Sequence, residues 1–142
     1  MLKLEHIGIA VKSLAESELL FEKLLNTSSY KRETVVDQQV ITSFFQSGDS
    51  KIELLEATAE DSPISKFILK RGEGIHHIAF EVEDIKSEMQ RLRKDGFQLL
   101  QEEPSIGADN KWVCFLHPKS TNGVLVEICQ SIPQSNNSLL AD

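Results

Sequence analysis

Four residues with metal-ligating side chains recur at equivalent places in the two halves of the chain. His6 and His77 are 71 residues apart, which is half of the 142-residue length, and Glu53 and Glu127 are 74 apart. Two imidazoles and two carboxylates form a suitable mixed ligand set for a divalent transition metal. No tightly spaced local motif marks such a site, so the prediction of a four-ligand metal centre rests on the internal repeat.

Both histidines are predicted to lie on short strands rich in Ile and Val, at residues 4–11 and 75–82. Side chains alternate between the two faces of a strand, so His6 points away from the aliphatic row of its strand. The same alternation groups His76 with the aliphatic row and places His77 on the other face. We therefore expect His77, rather than its neighbour, to be the ligand.

Each half of the chain is predicted to fold as a strand, a helix and three further strands. In the first half, Ser13 caps a helix that stops near Asn26; in the second, the helix runs from Asp84 to Gly96. The remaining strands are predicted at 31–36, 40–46 and 51–56, and at 97–100, 111–116 and 124–129. Helices packed on the aliphatic rows would leave the four polar side chains on a shared concave surface.

The predicted fold class is α+β, with two tandem βαβββ modules forming a curved mixed sheet around a metal-binding cleft. Module one spans about 2–57 and module two about 74–130, which makes residues 1–130 a single domain. A linker helix is expected at about 62–72, capped by Ser62 and begun by Pro63. Residues 131–142 are rich in Ser and Asn and are expected to form a loose polar tail.

Composition narrows the possible partners. The chain is 40% hydrophobic with a net charge of -7, and no more than two Lys or Arg residues are adjacent, which argues against nucleic acid or an anionic membrane as a partner. No apolar run approaches the roughly 20 residues of a membrane span.

Cys114 and Cys129 are too few for a secreted disulfide framework and are expected in the core. Together with the absence of a signal-peptide pattern after Met1, this predicts a cytoplasmic protein.

The duplicated modules, with a histidine on each first strand and an acid on each last strand, resemble the vicinal oxygen chelate superfamily over residues 2 to 130. Within this superfamily, FLHPKS at 115–120 and GVLVE at 123–127 are similar to the methylmalonyl-CoA epimerase family, as are LEHIGIAV at 4–11 and GIHHIA at 74–79. The resemblance implies His6, His77 and Glu127 as metal ligands with Glu53 at the fourth position. It also implies a homodimer.

The resemblance implies an enzyme that interconverts (R)- and (S)-methylmalonyl-CoA by proton transfer α to the thioester, through a metal-stabilised enolate. Glu53 and Glu127 are the candidate catalytic acid and base, because a pseudo-twofold axis would place them on opposite faces of the substrate. Lys119 and Ser120 precede the last strand and are candidates to hold the carboxylate or phosphates of an acyl-CoA. Cobalt is the first expectation for the metal, with nickel, manganese or zinc as alternatives.

One position departs from the family pattern. Some epimerases carry an acid, proposed as a catalytic base, where this chain has Thr42, and a hydroxyl cannot take that role. Two alternative functions stay open on other grounds. A glyoxalase I type lactoylglutathione lyase would use two His and two Glu ligands equally well, and the superfamily also contains non-catalytic small-molecule-binding proteins.

Overall fold

The structure is a computed structural model that describes residues 2–133. The first half contains β1 (Lys3–Ala10), α1 (Leu14–Leu25), β2 (Lys31–Val35), β3 (Val40–Ser47), β4 (Ser50–Ala57) and α2 (Pro63–Arg71). The second half contains β5 (Gly74–Glu81), α3 (Ile85–Lys94), β6 (Ser105–Gly107), β7 (Lys111–Leu116) and β8 (Val126–Ser131). Short 3₁₀ turns lie at Val36–Gln38 and Pro118–Ser120.

The strands form one sheet with an internal pseudo-twofold relation. Its order is β2-β3-β4-β1-β5-β8-β7-β6, so the two modules meet where β1 pairs antiparallel with β5. Within each module the first strand pairs parallel with the last strand, and the other neighbours are antiparallel. The predicted α+β fold with two tandem modules in a curved mixed sheet is confirmed.

The helices begin and end where local side-chain chemistry directs. Ser13 accepts a hydrogen bond from the N–H of Glu16 at the start of α1, and Asn26 ends that helix in the left-handed conformation with φ of 53°. Ser62 caps α2 with Pro63 at its first position, and Asp84 caps α3. These starts match the predictions from the sequence.

The helices cover different faces of the sheet. Residues of α1 and α3 pack on the aliphatic rows, with Leu14 on Leu54 and Met89 on Ile128. By contrast, Ile64 of α2 is only 2% exposed and packs in the cluster of Ala10, Val40 and Leu55. Ala10 lies in the same row of β1 as His6, and Leu55 in the same row of β4 as Glu53, so the linker helix forms a wall of the concave side.

The predicted strand at 97–100 is wrong as a sheet strand. This segment forms only an isolated bridge between Leu99 and Leu116, because the Gln101 side chain takes the next pairing position by accepting the N–H of Phe115 at 3.1 Å. The chain rejoins the edge of the sheet as β6. The last strand also begins two residues later than expected, because the N–H of Val124 bonds within a turn to the carbonyl of Thr121.

Both cysteines are buried free thiols, as expected for core residues. The last strand ends at Ser131, and the part of the predicted polar tail from 134 to 142 lies outside the described residues. Among residues 2–133, no helix is both long and apolar enough to cross a bilayer.

Candidate metal centre

Four neighbouring strands at the centre of the sheet each contribute one of the predicted ligands. His6 lies on β1, His77 on β5, Glu53 on β4 and Glu127 on β8. All four side chains border one cleft, and each residue is 4–6% exposed. The structure therefore brings the four predicted residues to one cleft from strands that are distant in sequence.

A small residue faces each histidine across the β1–β5 pair. His6 is opposite Ala79, and His77 is opposite Gly8. A Cβ atom at Gly8 would lie 2.2 Å from Cε1 of His77, closer than any real contact. Gly8 therefore provides the space in which the His77 imidazole lies over β1, and the His6–Ala79 pair occupies the equivalent place in the repeat.

Three of the predicted ligands present donor atoms to one another. Nε2 of His6 lies 2.9 Å from Nε2 of His77 and 3.2 Å from Oε2 of Glu127. The donor atoms of this group all lie within 4.8 Å of one another. Oε2 of Glu127 is buried and has no hydrogen-bond partner among the described residues. A divalent cation would satisfy this acceptor together with the two imidazole nitrogens, so the residues fit a metal site.

Glu53, the fourth predicted ligand, lies on the other side of the His6 ring. Its Oε2 is 2.9 Å from Nδ1 of His6, whereas Glu127 approaches Nε2. Glu53 groups with Glu5 and His6 as a second set of potential ligands. Its place in a four-ligand set with Glu127 and His77 remains a prediction.

Glu5 is a site residue that the sequence reasoning missed. The pairing of β1 with β5 shifts between Leu4 and His6, which leaves Glu5 as the extra residue of a β-bulge. A bulge re-aims a side chain and is common beside functional sites. Glu5 is consequently 5% exposed and its carboxylate contacts Nδ1 of His6, although simple alternation would put it on the aliphatic face.

A second bulge corrects the interpretation of His76. The same pairing shifts between Gly8 and Ile9, and His76 is the extra residue on β5. Its ring borders the cleft and packs edge-on against Phe67 with centroids 5.1 Å apart, and its Nδ1 lies 2.9 Å from Nδ1 of His77. The prediction that His76 joins the aliphatic packing row is therefore wrong. Positions 5 and 76 are also 71 apart, so the two bulges repeat with the same offset as His6 and His77.

Two lysines hold the Glu5 carboxylate from the side opposite to His6. Nζ of Lys51 lies 2.7 Å from Oε1 of Glu5, and Nζ of Lys111 lies 3.6 Å from the same oxygen. Burial alone would raise the pKa of Glu5, but the hydrogen bonds from His6 and Lys51 outweigh burial and lower the pKa to about 2. Glu5 is therefore a fixed anion behind His6.

The pKa values of the two histidines in this cluster shift in opposite directions. Burial alone would lower the pKa of His6, but the contacts of its ring with three carboxylates outweigh burial and raise the pKa to about 12. Those carboxylates belong to Glu127, Glu5 and Glu53. Burial and the neighbouring charge of His6 hold the pKa of His77 well below its usual range. A proton on His6 and a divalent cation therefore compete for the same site.

The cleft has a volume of about 270 Å³ and combines the polar ligand cluster with apolar walls. The apolar walls come from Val40, Leu55, Leu100, Val113, Phe115 and Leu125. Thr42 also borders the cleft, is 1% exposed, and its hydroxyl has no hydrogen-bond partner among residues 2–133. An unsatisfied buried hydroxyl is costly, so this group is available to a ligand.

Lys119 and Ser120 lie in the 3₁₀ turn that follows β7, and neither borders the cleft. The Ser120 hydroxyl accepts the N–H of Gln98 at 2.9 Å, which ties this turn to the segment after α3. Their role in substrate binding remains a prediction from the sequence.

Comparison with known proteins gives consistent matches. Residues 5–115 match the model of the Glyoxalase/Bleomycin resistance protein/Dioxygenase superfamily. The chain is 40% identical to the uncharacterized protein YqjC of Bacillus subtilis, covering 96% of this chain and 98% of the relative. It is 41% identical to the ethylmalonyl-CoA/methylmalonyl-CoA epimerase of Cereibacter sphaeroides, covering 90% and 97%. A variant of the Streptomyces coelicolor methylmalonyl-CoA epimerase, solved in complex with 2-nitronate-propionyl-CoA, is 33% identical, covers 92% and 98%, and superposes with a TM-score of 0.86.

Proposed function

The chain belongs to the Glyoxalase/Bleomycin resistance protein/Dioxygenase superfamily, and we propose that it is a metal-dependent epimerase acting on methylmalonyl-CoA. The observation that carries the proposal is the buried set of His6, His77 and Glu127, whose donor atoms converge in a cleft with apolar walls. The epimerase relatives from Cereibacter and Streptomyces support the choice of acyl-CoA over other superfamily substrates.

The proposed chemistry begins with the ligand set. His6, His77 and Glu127 hold the divalent cation, with Glu53 as the fourth ligand; cobalt is our first expectation, and nickel, manganese and zinc suit the same donors. When bound, the cation supplies Lewis-acid stabilisation of the negative charge that develops on carbonyl oxygens when the C2 proton leaves. The apolar walls of the cleft strengthen that electrostatic stabilisation by excluding water.

Epimerisation needs a proton to leave one face of C2 and another to arrive at the opposite face. We propose that Glu53 and Glu127 carry out these transfers, because the pseudo-twofold relation places them on strands that flank the central pair from either side. They lie beside opposite nitrogens of the His6 ring. This assignment is needed because Thr42 occupies the strand position at which some relatives carry an acid.

Thr42 takes a binding role in this scheme. Its hydroxyl is buried at the cleft without a partner in the described chain, so it is free to hydrogen-bond an oxygen of the substrate. Such a bond would orient the acyl group without moving a proton to or from C2. We further propose that the enzyme works in the cytoplasm as a homodimer, as its resemblance to the epimerases implies.

A glyoxalase I type lyase remains the alternative, because its two-His, two-Glu ligand set is also present here. The test compares two substrates on the same metal-reconstituted protein: one epimer of methylmalonyl-CoA, and the hemithioacetal of glutathione and methylglyoxal. We expect interconversion of the CoA thioester epimers and no lactoylglutathione. The His77→Ala variant is expected to lose both stoichiometric metal and epimerase activity, and full epimerase activity in metal-free protein would contradict the proposal.

A further inference from the structure

A second groove opens directly beside the cleft that the predicted metal ligands border. It has a volume of about 400 Å³ and shares Pro63, His76, His77 and Leu125 with the cleft as lining residues. One side of this groove, which we call the α2 groove, is formed by helix α2 and the other by residues before β8. The two cavities are therefore adjacent, with only these shared side chains between them.

The α2 groove is positively charged in a chain that is otherwise acidic. Lys66, Lys70 and Arg71 line it, and all three are exposed. No Asp or Glu side chain of the described chain borders the groove, and none of the three cations makes an ion pair there. By contrast, Lys31 and Lys51 beside the cleft both form ion pairs with Asp109, and Lys51 also pairs with Glu5. The net charge of -7 makes this unpaired cluster a local exception.

Apolar side chains occupy the rest of the groove. Ile75 is 61% exposed and Val124 is 42% exposed, although both adjoin the sheet. Phe67 lies beneath Arg71, whose guanidinium carbon is 5.9 Å from the ring centroid. The groove therefore offers an apolar surface close to the cleft and cations along one side.

The cations extend away from the cleft along the helix. Pro63 borders both cavities at the start of α2, and Arg71 is its last residue. Eight residues of helical rise separate them by about 12 Å. Lysine and arginine in a last helical turn also offset the helix dipole, but this does not account for Lys66 in the middle of the helix or for the missing acidic partners.

We propose that the α2 groove binds the phosphates of the coenzyme A part of the substrate, with Lys66, Lys70 and Arg71 as the phosphate ligands. This inference rests on the proposed function, because it takes a CoA thioester as the ligand. The apolar surface suits the arm that joins the thioester to the nucleotide, and the cations suit phosphate oxygens through charge-assisted hydrogen bonds. Their position beside the cleft lets the acyl end reach the ligand cluster while the phosphates stay at the helix.

The experiment uses the metal-reconstituted full chain, the double variant Lys66→Glu/Lys70→Glu, and Lys94→Glu as the matched control. Lys94 is an exposed lysine in the last turn of α3, so its replacement tests the loss of a helix-terminal charge alone. Each protein is assayed with methylmalonyl-CoA and with methylmalonyl-pantetheine, which carries the same acyl group but no nucleotide. Reversing two charges beside phosphates replaces attraction with repulsion, so we expect KM for the CoA thioester to rise at least about tenfold with kcat little changed. KM for the pantetheine thioester should stay within about twofold of the unmodified protein, and the control should match that protein with both substrates.

Two results would overturn the inference: an unchanged KM for the CoA thioester, or an equal rise with both thioesters. Calorimetric titration with coenzyme A itself separates this inference from the proposed function. If epimerase activity is absent but coenzyme A binds in a salt-dependent manner and the double variant loses that binding, the groove assignment stands and the epimerase proposal fails. If coenzyme A binds the double variant and the unmodified protein equally, the groove assignment fails whatever the activity.

Discussion

Replacing Glu5 with glutamine removes one buried charge at the site while preserving side-chain shape. Glu5 is 5% exposed and contacts His6 on one side and Lys51 on the other. Its pKa falls from 4.5 to about 2, which corresponds to roughly 3 kcal/mol of stability at neutral pH. We therefore expect Glu5→Gln to lower the free energy of unfolding of the metal-free protein by about 3 kcal/mol at pH 7.

The lowered pKa of Glu5 also determines how the stability difference between the two proteins depends on pH. A carboxyl group with a lowered pKa stabilises the folded state above its unfolded-state pKa, and that stabilisation is lost as the pH falls through the folded-state value. The difference between the two proteins should be constant above about pH 5 and shrink as the pH falls below 4.5 towards 2. Urea unfolding followed by circular dichroism at a series of pH values measures it. The exposed Glu103→Gln variant is the control and should change stability little.

The same variant also tests the positioning of His6. A carboxylate bonded to the second nitrogen of a ligand histidine fixes the ring, and its loss typically weakens metal binding about 10–100-fold. Competition with a chelator of known affinity measures that loss. Unchanged stability at pH 7, or a stability difference that stays constant down to pH 3, would refute the reasoning about the Glu5 charge. Unchanged metal affinity would refute the role of the Glu5 carboxylate in fixing the His6 ring.

Three further variants probe other parts of the site. Gly8→Ala should displace the His77 ring and weaken metal binding at least about tenfold, measured by metal content after dialysis. Ala79→Gly is the comparison, because it adds no atoms at the equivalent position. Retention of a full complement of metal by Gly8→Ala would be inconsistent with the fit of His77 over Gly8. Thr42→Val removes an unsatisfied buried hydroxyl, so it should leave the free energy of unfolding unchanged or raise it by about 1 kcal/mol. It should lower kcat/KM about tenfold, because the proposed hydrogen bond to the substrate is lost. A large loss of stability would show that the Thr42 hydroxyl has a partner in the folded protein. Ile64→Ala should cost about 2–5 kcal/mol in urea unfolding, because Ile64 holds α2 against the sheet; a change below about 1 kcal/mol would mean that the helix is held elsewhere.

Much of the fold follows from patterns that act locally. Alternation along the strands, capping at Ser13 and Asp84, and the duplicated histidine positions were sufficient to predict the modules and to bring His6 and His77 together. The pseudo-twofold arrangement then placed the glutamates on the flanking strands without any local motif, because a repeated sequence folds into a repeated structure.

The differences arise where a single residue breaks strand periodicity. The bulges at Glu5 and His76 reverse the faces that alternation assigns, and one extra residue in a strand has no signature in polarity alone. The segment before β6 leaves the sheet because the Gln101 side chain replaces a backbone partner, which depends on tertiary contacts. Side-chain rotamers also decide that Glu53 lies beside Nδ1 of His6 rather than beside Glu127. Sequence periodicity does not encode these choices.

The most direct test of the proposed epimerase activity is proton exchange at C2 of methylmalonyl-CoA. One epimer is incubated in deuterated water with the cobalt-reconstituted protein, and the C2 proton and the epimer ratio are followed by NMR and chiral analysis. We predict that deuterium enters C2 while the two epimers approach equal amounts, and that the His77→Ala variant does neither. Recovery of the starting epimer with its C2 proton intact, from protein that holds its full complement of metal, would contradict the proposed activity.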